Sequence, residues 1–129
     1  MIINKLLLDS ISYKASCSER LRMNYNLHES HESKVQRLFN AMEPNTIIPI
    51  QRHQNTAETI ILIRGRMILY IYNENGCITE KHILDPNSGN YGYHIPIGTW
   101  HSVEVLDPGT VMFEVKEGPY RPLIPEDMK

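Results

Sequence analysis

Cysteine is scarce in this chain: among 129 residues only Cys17 and Cys77 carry a thiol, far apart and without a C-x-x-C partner. That excludes a disulfide framework and leaves two reduced, structurally incidental thiols as the expectation. An excess of one charge is missing too, with 13 lysines and arginines against 15 aspartates and glutamates, a net of −2. With no basic patch, no acidic tail and no interleaving of aromatic with basic residues, nucleic acid is not an expected partner. Long hydrophobic runs are also lacking: stretches such as Met67–Tyr72 are far too short to span a bilayer. Met1–Leu8 has neither the basic start nor the small-residue cleavage site of a signal peptide, so a cytoplasmic location without membrane association is expected. No internal repeat, low-complexity segment or linker is visible. What remains, 41% apolar and 22% charged over a length near the mode for one hydrophobic core, is an ordinary globular domain.

The first 43 residues differ in character from the rest. Leu6, Leu7, Leu8, Ile11 and Ala15 predict a short amphipathic helix, and Ser33–Met42, with Val35, Leu38, Phe39 and Met42 at helical spacing behind a capping serine, predicts a second. Between them Arg22–His28 alternates strictly, with Arg22, Asn24, Asn26 and His28 on one face and Met23, Tyr25 and Leu27 on the other, which predicts a strand. From residue 44 onward strands and turns follow one another at short, even intervals: Ile47–His53, Glu58–Ile63, Arg66–Asn73, Cys77–Leu84, Tyr91–Pro96, His101–Leu106 and Thr110–Lys116. That rhythm predicts a mainly β sandwich or barrel over 44–129, with 1–43 packed on it as helices and one strand, the two forming one structural domain. Met67–Tyr72 is apolar on both faces, so its outer face needs a cover, and a homodimer is expected to supply it. Gly118–Pro125 is a proline-stiffened tail expected to lie along the barrel.

The chemistry concentrates in Gln51-x-His53, Glu58 and Gly65. Residues two apart on a strand share a face, so Gln51 and His53 point inward together, and the short Gln54–Ala57 turn returns Glu58 on the adjacent strand. The Pro96-x-Gly98-x-x-His101 turn can deliver a fourth side chain from across a barrel, because proline fixes φ and glycine permits a tight approach. Imidazole and carboxylate groups around one point are what a divalent transition metal, iron, manganese, nickel or zinc, requires.

The spacing from His53 through Gly65 and from Pro96 through His101 resembles the two motifs of the cupin superfamily, with Gln51 standing where the pattern has a histidine, Asn90 where it has a glycine and Val105 where it has an asparagine. A narrower resemblance is to the WbuC-type cupin-fold metalloproteins. It rests on Ala15, Ser18, Arg20-Leu21-Arg22, Asn24–His28, Val35–Leu38, Arg52-His53, Glu58-Thr59 and Phe113–Lys116 with Gly118–Tyr120. The resemblance implies a jelly-roll β-barrel with a short helical N-terminal region, a metal on Gln51, His53, Glu58 and His101, and a place in surface-polysaccharide, O-antigen or other carbohydrate metabolism.

Around that centre two stripes have alternative readings. Arg22, Asn24 and Asn26 either form a solvated strand face or line a pocket for a polar, sugar-like or anionic ligand; asparagine is a poor strand former, which favours hydrogen bonding over propensity. Glu114 and Lys116 share one face of the last strand and form either an exposed ion pair or, with Tyr120 and His28, the acid and base groups of a catalytic site. His31, His82 and His94 fall outside any ligand spacing and are assigned surface or packing roles. Two functions fit. In one, an enzyme polarises a carbonyl or hydroxyl oxygen with its metal for isomerisation or epimerisation, or for oxidation by oxygen if the metal is iron. In the other, a non-catalytic module binds or senses a small polar molecule over a degenerate or empty metal site.

Overall fold

The N-terminal helix forms where its cap is supplied: the Asn4 side chain accepts a hydrogen bond from the Leu7 N–H at 3.0 Å, and α1 (Lys5–Cys17) follows. In the computed structural model, which describes residues 1–129, eight strands come after it. They are β1 (Arg22–Asn26), β2 (Val35–Met42), β3 (Glu58–Arg64), β4 (Met67–Tyr72), β5 (Ile78–Leu84), β6 (Gly92–Ile95), β7 (Trp100–Val105) and β8 (Thr110–Glu117). All pairings are antiparallel, in a five-stranded sheet of order β1-β2-β8-β3-β6 and a three-stranded sheet of order β5-β4-β7.

The two sheets close over one apolar cluster. Met42, Ile60, Leu62, Ile95 and Met112 come from the larger sheet, and Met67, Leu69, Ile71, Leu84 and Val105 from the smaller. Each fully buried side chain of this kind is worth about 1.5–3 kcal/mol, so this cluster is the main source of stability. A second cluster sits outside the larger sheet, where Leu8, Ile11 and Ala15 of α1 cover Phe39, Ala41 and Val111.

That second cluster explains why the helix expected over Ser33–Met42 is instead strand β2. Gln36, Leu38, Asn40 and Met42 face the barrel while Phe39 and Ala41 face α1, so apolar residues occur at both parities and imitate helical spacing. Pairing with β1 on one side and β8 on the other then overrides local propensity. The N-terminal 43 residues are therefore not a layer packed on a barrel, since β1 and β2 are members of its larger sheet. The strand expected over Ile47–His53 reduces to a bridge: Gln51 pairs with His101 and with Met128, and Pro49 has no N–H to extend it. On β4, Met67, Leu69 and Ile71 point inward, whereas Tyr70 and Tyr72 turn outward with hydroxyls bonded to Glu104 and Ser102 of β7.

Gly65 makes the β3–β4 turn possible. Its φ is +87°, and a Cβ there would lie 2.2 Å from Thr110 Oγ1.

Candidate metal centre

Three chain segments converge at the open end of the barrel. Glu58 is the first residue of β3, His101 is the second residue of β7, and His53 precedes the turn into β3. The Gly98 N–H donates to the His53 carbonyl at 2.8 Å, and Gly98 reaches this position with φ +76°, so the Pro96–Thr99 turn is held against the His53 segment. Gln51 and His101 exchange both backbone hydrogen bonds, at 3.0 and 2.9 Å, which sets their side chains next to each other.

One ligand atom each from His53, Glu58 and His101 lies within 4.8 Å of the others. His101 Nε2 is 3.5 Å from Glu58 Oε1, and His53 Nε2 is 3.8 Å from Glu58 Oε2. Ligands at about 2.0–2.2 Å from one ion stand roughly 3–4 Å apart, so the observed separations fit a single metal with little adjustment. The His101 Nδ1–H donates to the Thr99 carbonyl at 2.9 Å, which leaves Nε2 directed at the centre, as a metal-binding imidazole requires. Glu58 and His101 are buried and His53 nearly so.

The electrostatics separate the two imidazoles. Burial lowers the His53 pKa and the Glu58 charge does not compensate; for His101 burial acts the same way, but the hydrogen bond and charge of Glu58 outweigh it and raise the pKa. Burial alone would raise Glu58, yet His101, Lys116 and His53 hold it down at about 2. Glu114, fully enclosed, is pushed up to about 8, first by burial and then by the Glu58 charge. A divalent cation at the centre would oppose the Glu58 charge and draw Glu114 back down. Asn40 Nδ2 donates to Glu114 Oε1 at 3.2 Å, while Asn40 Oδ1 is buried without a partner. Lys116 Nζ stands 3.9 Å from Glu58 Oε2.

These groups line a cavity of about 350 Å³. Of the residues singled out from the sequence, Arg22, Asn24, Gln51, His53, Glu58, His101, Glu114, Lys116 and Tyr120 all border it. Ile60, Leu69, Ile95, Val103 and Met112 supply apolar wall. Asn26 and His28 are not brought there. Asn26 ends β1 exposed, and His28 Nδ1 accepts the Arg37 N–H at 3.1 Å, tied into the β1–β2 connection and away from any catalytic contact. Sequence reasoning missed Arg20, Asn40 and Arg121 as lining residues. Arg20 lies in the turn before β1, beyond the left-handed Leu21, where strand alternation does not reach; Asn40 was hidden by the helical reading, and Arg121 lies in a tail without periodicity. Tyr120 stacks on His31 with ring centres 4.6 Å apart, while His82 and His94 bond to Glu80 and Thr59 outside the cavity.

A family model described as a domain of unknown function (DUF6016) matches residues 3–84. No curated protein matches the chain. Among solved structures, KdgF from Halomonas sp. is similar at TM-score 0.61 and 14% identity, over 78% of this chain and 82% of that one. The capsular polysaccharide assembling protein CapF from Staphylococcus aureus is similar at TM-score 0.67 and 16% identity, over 81% of this chain and 28% of that longer one. The cupin domain of Cnp3 from Schizosaccharomyces pombe is similar at TM-score 0.60 and 8% identity, over 77% and 66%. At these identities the likeness establishes the cupin fold.

Proposed function

The chain belongs to the DUF6016 family of unknown function, and from its own cavity we propose that it is a WbuC-type cupin that holds a divalent transition metal and acts on a sugar-like polar molecule in carbohydrate metabolism. The observation that carries this reading is the convergence of His53, Glu58 and His101 ligand atoms within 4.8 Å at the wall of a cavity. CapF, a neighbour in fold, is described as assembling capsular polysaccharide, which supports the carbohydrate setting.

When bound, the metal would supply Lewis-acid polarisation of a carbonyl or hydroxyl oxygen. The chain's residues do the rest. Gln51 offers a neutral carbonyl oxygen beside His101, as a weak fourth ligand or as a holder of water. Asn24 and Arg22 present donors to hydroxyl groups from the β1 wall. Lys116 and Glu114, which border the cavity from β8, would carry a proton between carbon positions of a bound sugar, the requirement of an isomerase or epimerase.

One observation favours a second reading, a non-catalytic binding cupin: Glu58 lies 3.5 Å from His101, whose pKa it raises, and 3.9 Å from Lys116, so its charge is opposed by these two groups without a cation. Elemental analysis of protein purified without added metal separates the two. We expect about one equivalent of a single transition metal in the wild type and none in His101→Ala. Wild-type protein that stays empty after exposure to iron, manganese, nickel and zinc would sink the metalloenzyme reading.

A further inference from the structure

We propose that the cavity contains an oxyanion subsite built by Arg20, Arg22 and Arg121, and that the ligand is an acidic sugar-like molecule carrying a carboxylate or a phosphate. The sugar-like part rests on the function proposed above, whereas the anionic part stands on the arginines alone.

All three arginines border the same cavity, and none has a carboxylate partner. Outside this group Arg52, Arg64 and Arg66 are each paired with an aspartate, whereas Arg20, Arg22 and Arg121 share one cavity without such a partner. The cavity's own carboxylates cannot neutralise them. Glu58 is occupied by His53, His101 and Lys116, and Glu114 by Asn40.

The backbone that carries two of them is held in a conformation it would not adopt unaided. Leu21, between Arg20 and Arg22, has φ +57°, which is unfavourable for a side chain with a Cβ. Bonds on every side fix it: Leu21 N–H to the Ser18 carbonyl at 3.0 Å, Glu43 N–H to the Leu21 carbonyl at 2.9 Å, and Thr46 Oγ1 to the Arg20 carbonyl at 2.7 Å. Arg22 is fixed at its tip as well, where Nη1 donates to the Ile47 carbonyl at 2.9 Å. Strain maintained by surrounding contacts is a feature of ligand sites. Burial, and then repulsion from Arg20, lower the Arg22 pKa, and an anion between the two guanidinium groups would relieve the repulsion.

The chemistry of the occupant follows from the donors. A guanidinium is a planar fork matched to carboxylate or phosphate oxygens, and three of them around one opening present far more positive charge than a neutral polyol can answer. Asn24 beside them adds an amide for hydroxyl groups. A cavity of about 350 Å³ has room for one small molecule or one sugar residue.

Calorimetric titration of the full chain, metal-loaded and chelator-treated, with galacturonate, glucose 6-phosphate and glucose tests the assignment. At least one acid should bind about tenfold or more tightly than glucose, with affinity falling as salt is added. Arg121→Gln should weaken the acid by about tenfold and leave glucose unaffected, and Arg22→Gln should weaken the acid by more than it weakens glucose; Arg121 lies in an exposed tail, so its substitution does not threaten folding. Preference for galacturonate would assign a carboxylate, preference for glucose 6-phosphate a phosphate, and either supports the subsite. Acids that bind no tighter than glucose, or whose affinity survives both Arg22→Gln and Arg121→Gln, overturn it. Metal content measured on the same samples keeps the two proposals apart. Arginine-dependent acid binding in a protein that takes up no metal would defeat the metal reading alone; a full metal site with no acid preference would defeat the subsite alone.

Discussion

Gln51 is the residue on which the metal chemistry turns. Its two-way backbone bridge to His101 places it beside an imidazole already aimed at the centre, so a histidine there would be aimed the same way. Gln51→His is therefore expected to raise metal affinity by about tenfold or more, since an imidazole nitrogen replaces a neutral amide oxygen. Competition against a chromophoric chelator would read this, and an unchanged or weaker affinity would show that position 51 does not face the ion. If the wild type is empty and only the variant fills, the native barrel is a metal-free binding pocket. Gly65 is constrained differently, by both φ and space. Gly65→Ala must accept a left-handed backbone and a Cβ within 2.8 Å of three Thr110 atoms, two of them not at the end of a flexible chain. Strain and overlap together should destabilise the fold by roughly 2–4 kcal/mol in urea denaturation. Gly98→Ala meets no atom within 4 Å and should lose only about 1–2 kcal/mol.

At the scale of elements, what could be read from the sequence depended on how many faces of a segment are buried. Glu58–Arg64 alternates in burial but not in residue type, since Ile61 and Ile63 on the outer face are as apolar as Ile60 and Leu62 on the inner; it was legible from the punctuating turns that bound it and the ligand spacing they set. Val35–Met42 was not, because it lies between a barrel interior and a helix and its apolar residues follow no single period. The Arg22–His28 stripe was half legible: alternation identifies the face but not where along the strand the cavity ends, and Asn26 and His28 fall beyond that limit. The strand reading of β2 has a direct consequence. Phe39, buried against α1 and 5.2 Å from the Phe113 ring, packs on the side of the sheet away from the cavity. Phe39→Ala should lower stability by about 3–5 kcal/mol while metal content in the folded fraction is unchanged. Loss of metal from folded Phe39→Ala would mean that the outer cluster also positions the ligands.

The whole molecule divides into an end closed by the apolar cluster and an end open to the cavity, and the C-terminal segment is drawn across the open end. It supplies Tyr120, Arg121, Leu123 and Met128 to the wall. What holds it is a clasp. The Arg52 N–H donates to the Asp127 carbonyl at 3.0 Å, Arg52 Nε donates to Asp127 Oδ1 at 3.1 Å, and Gln54 donates to the same carboxylate. The Lys129 N–H reaches the Ile50 carbonyl at 2.8 Å, and the Arg52 guanidinium and the Lys129 ammonium both lie over the Trp100 ring, 4.6 and 4.4 Å from its centre. Asp127 is buried and connects to the segment bearing His53, yet no residue of the tail is among the three converging ligands. Asp127→Ala removes the shared acceptor, a change of about 1.5–3 kcal/mol for hydrogen bonds to a charged group. Because the clasp secures the tail and not the barrel core, that change should appear as local opening. Hydrogen exchange over residues 120–129 should accelerate by about tenfold or more, with the midpoint of global unfolding nearly unmoved and metal content retained. Acid binding should weaken at the same time, because Arg121 leaves the subsite when the tail opens. If exchange in the tail is unchanged, Asp127 is not the clasp; if metal is lost along with the tail, the open end of the barrel is one cooperative unit in which tail, His53 segment and metal centre form together.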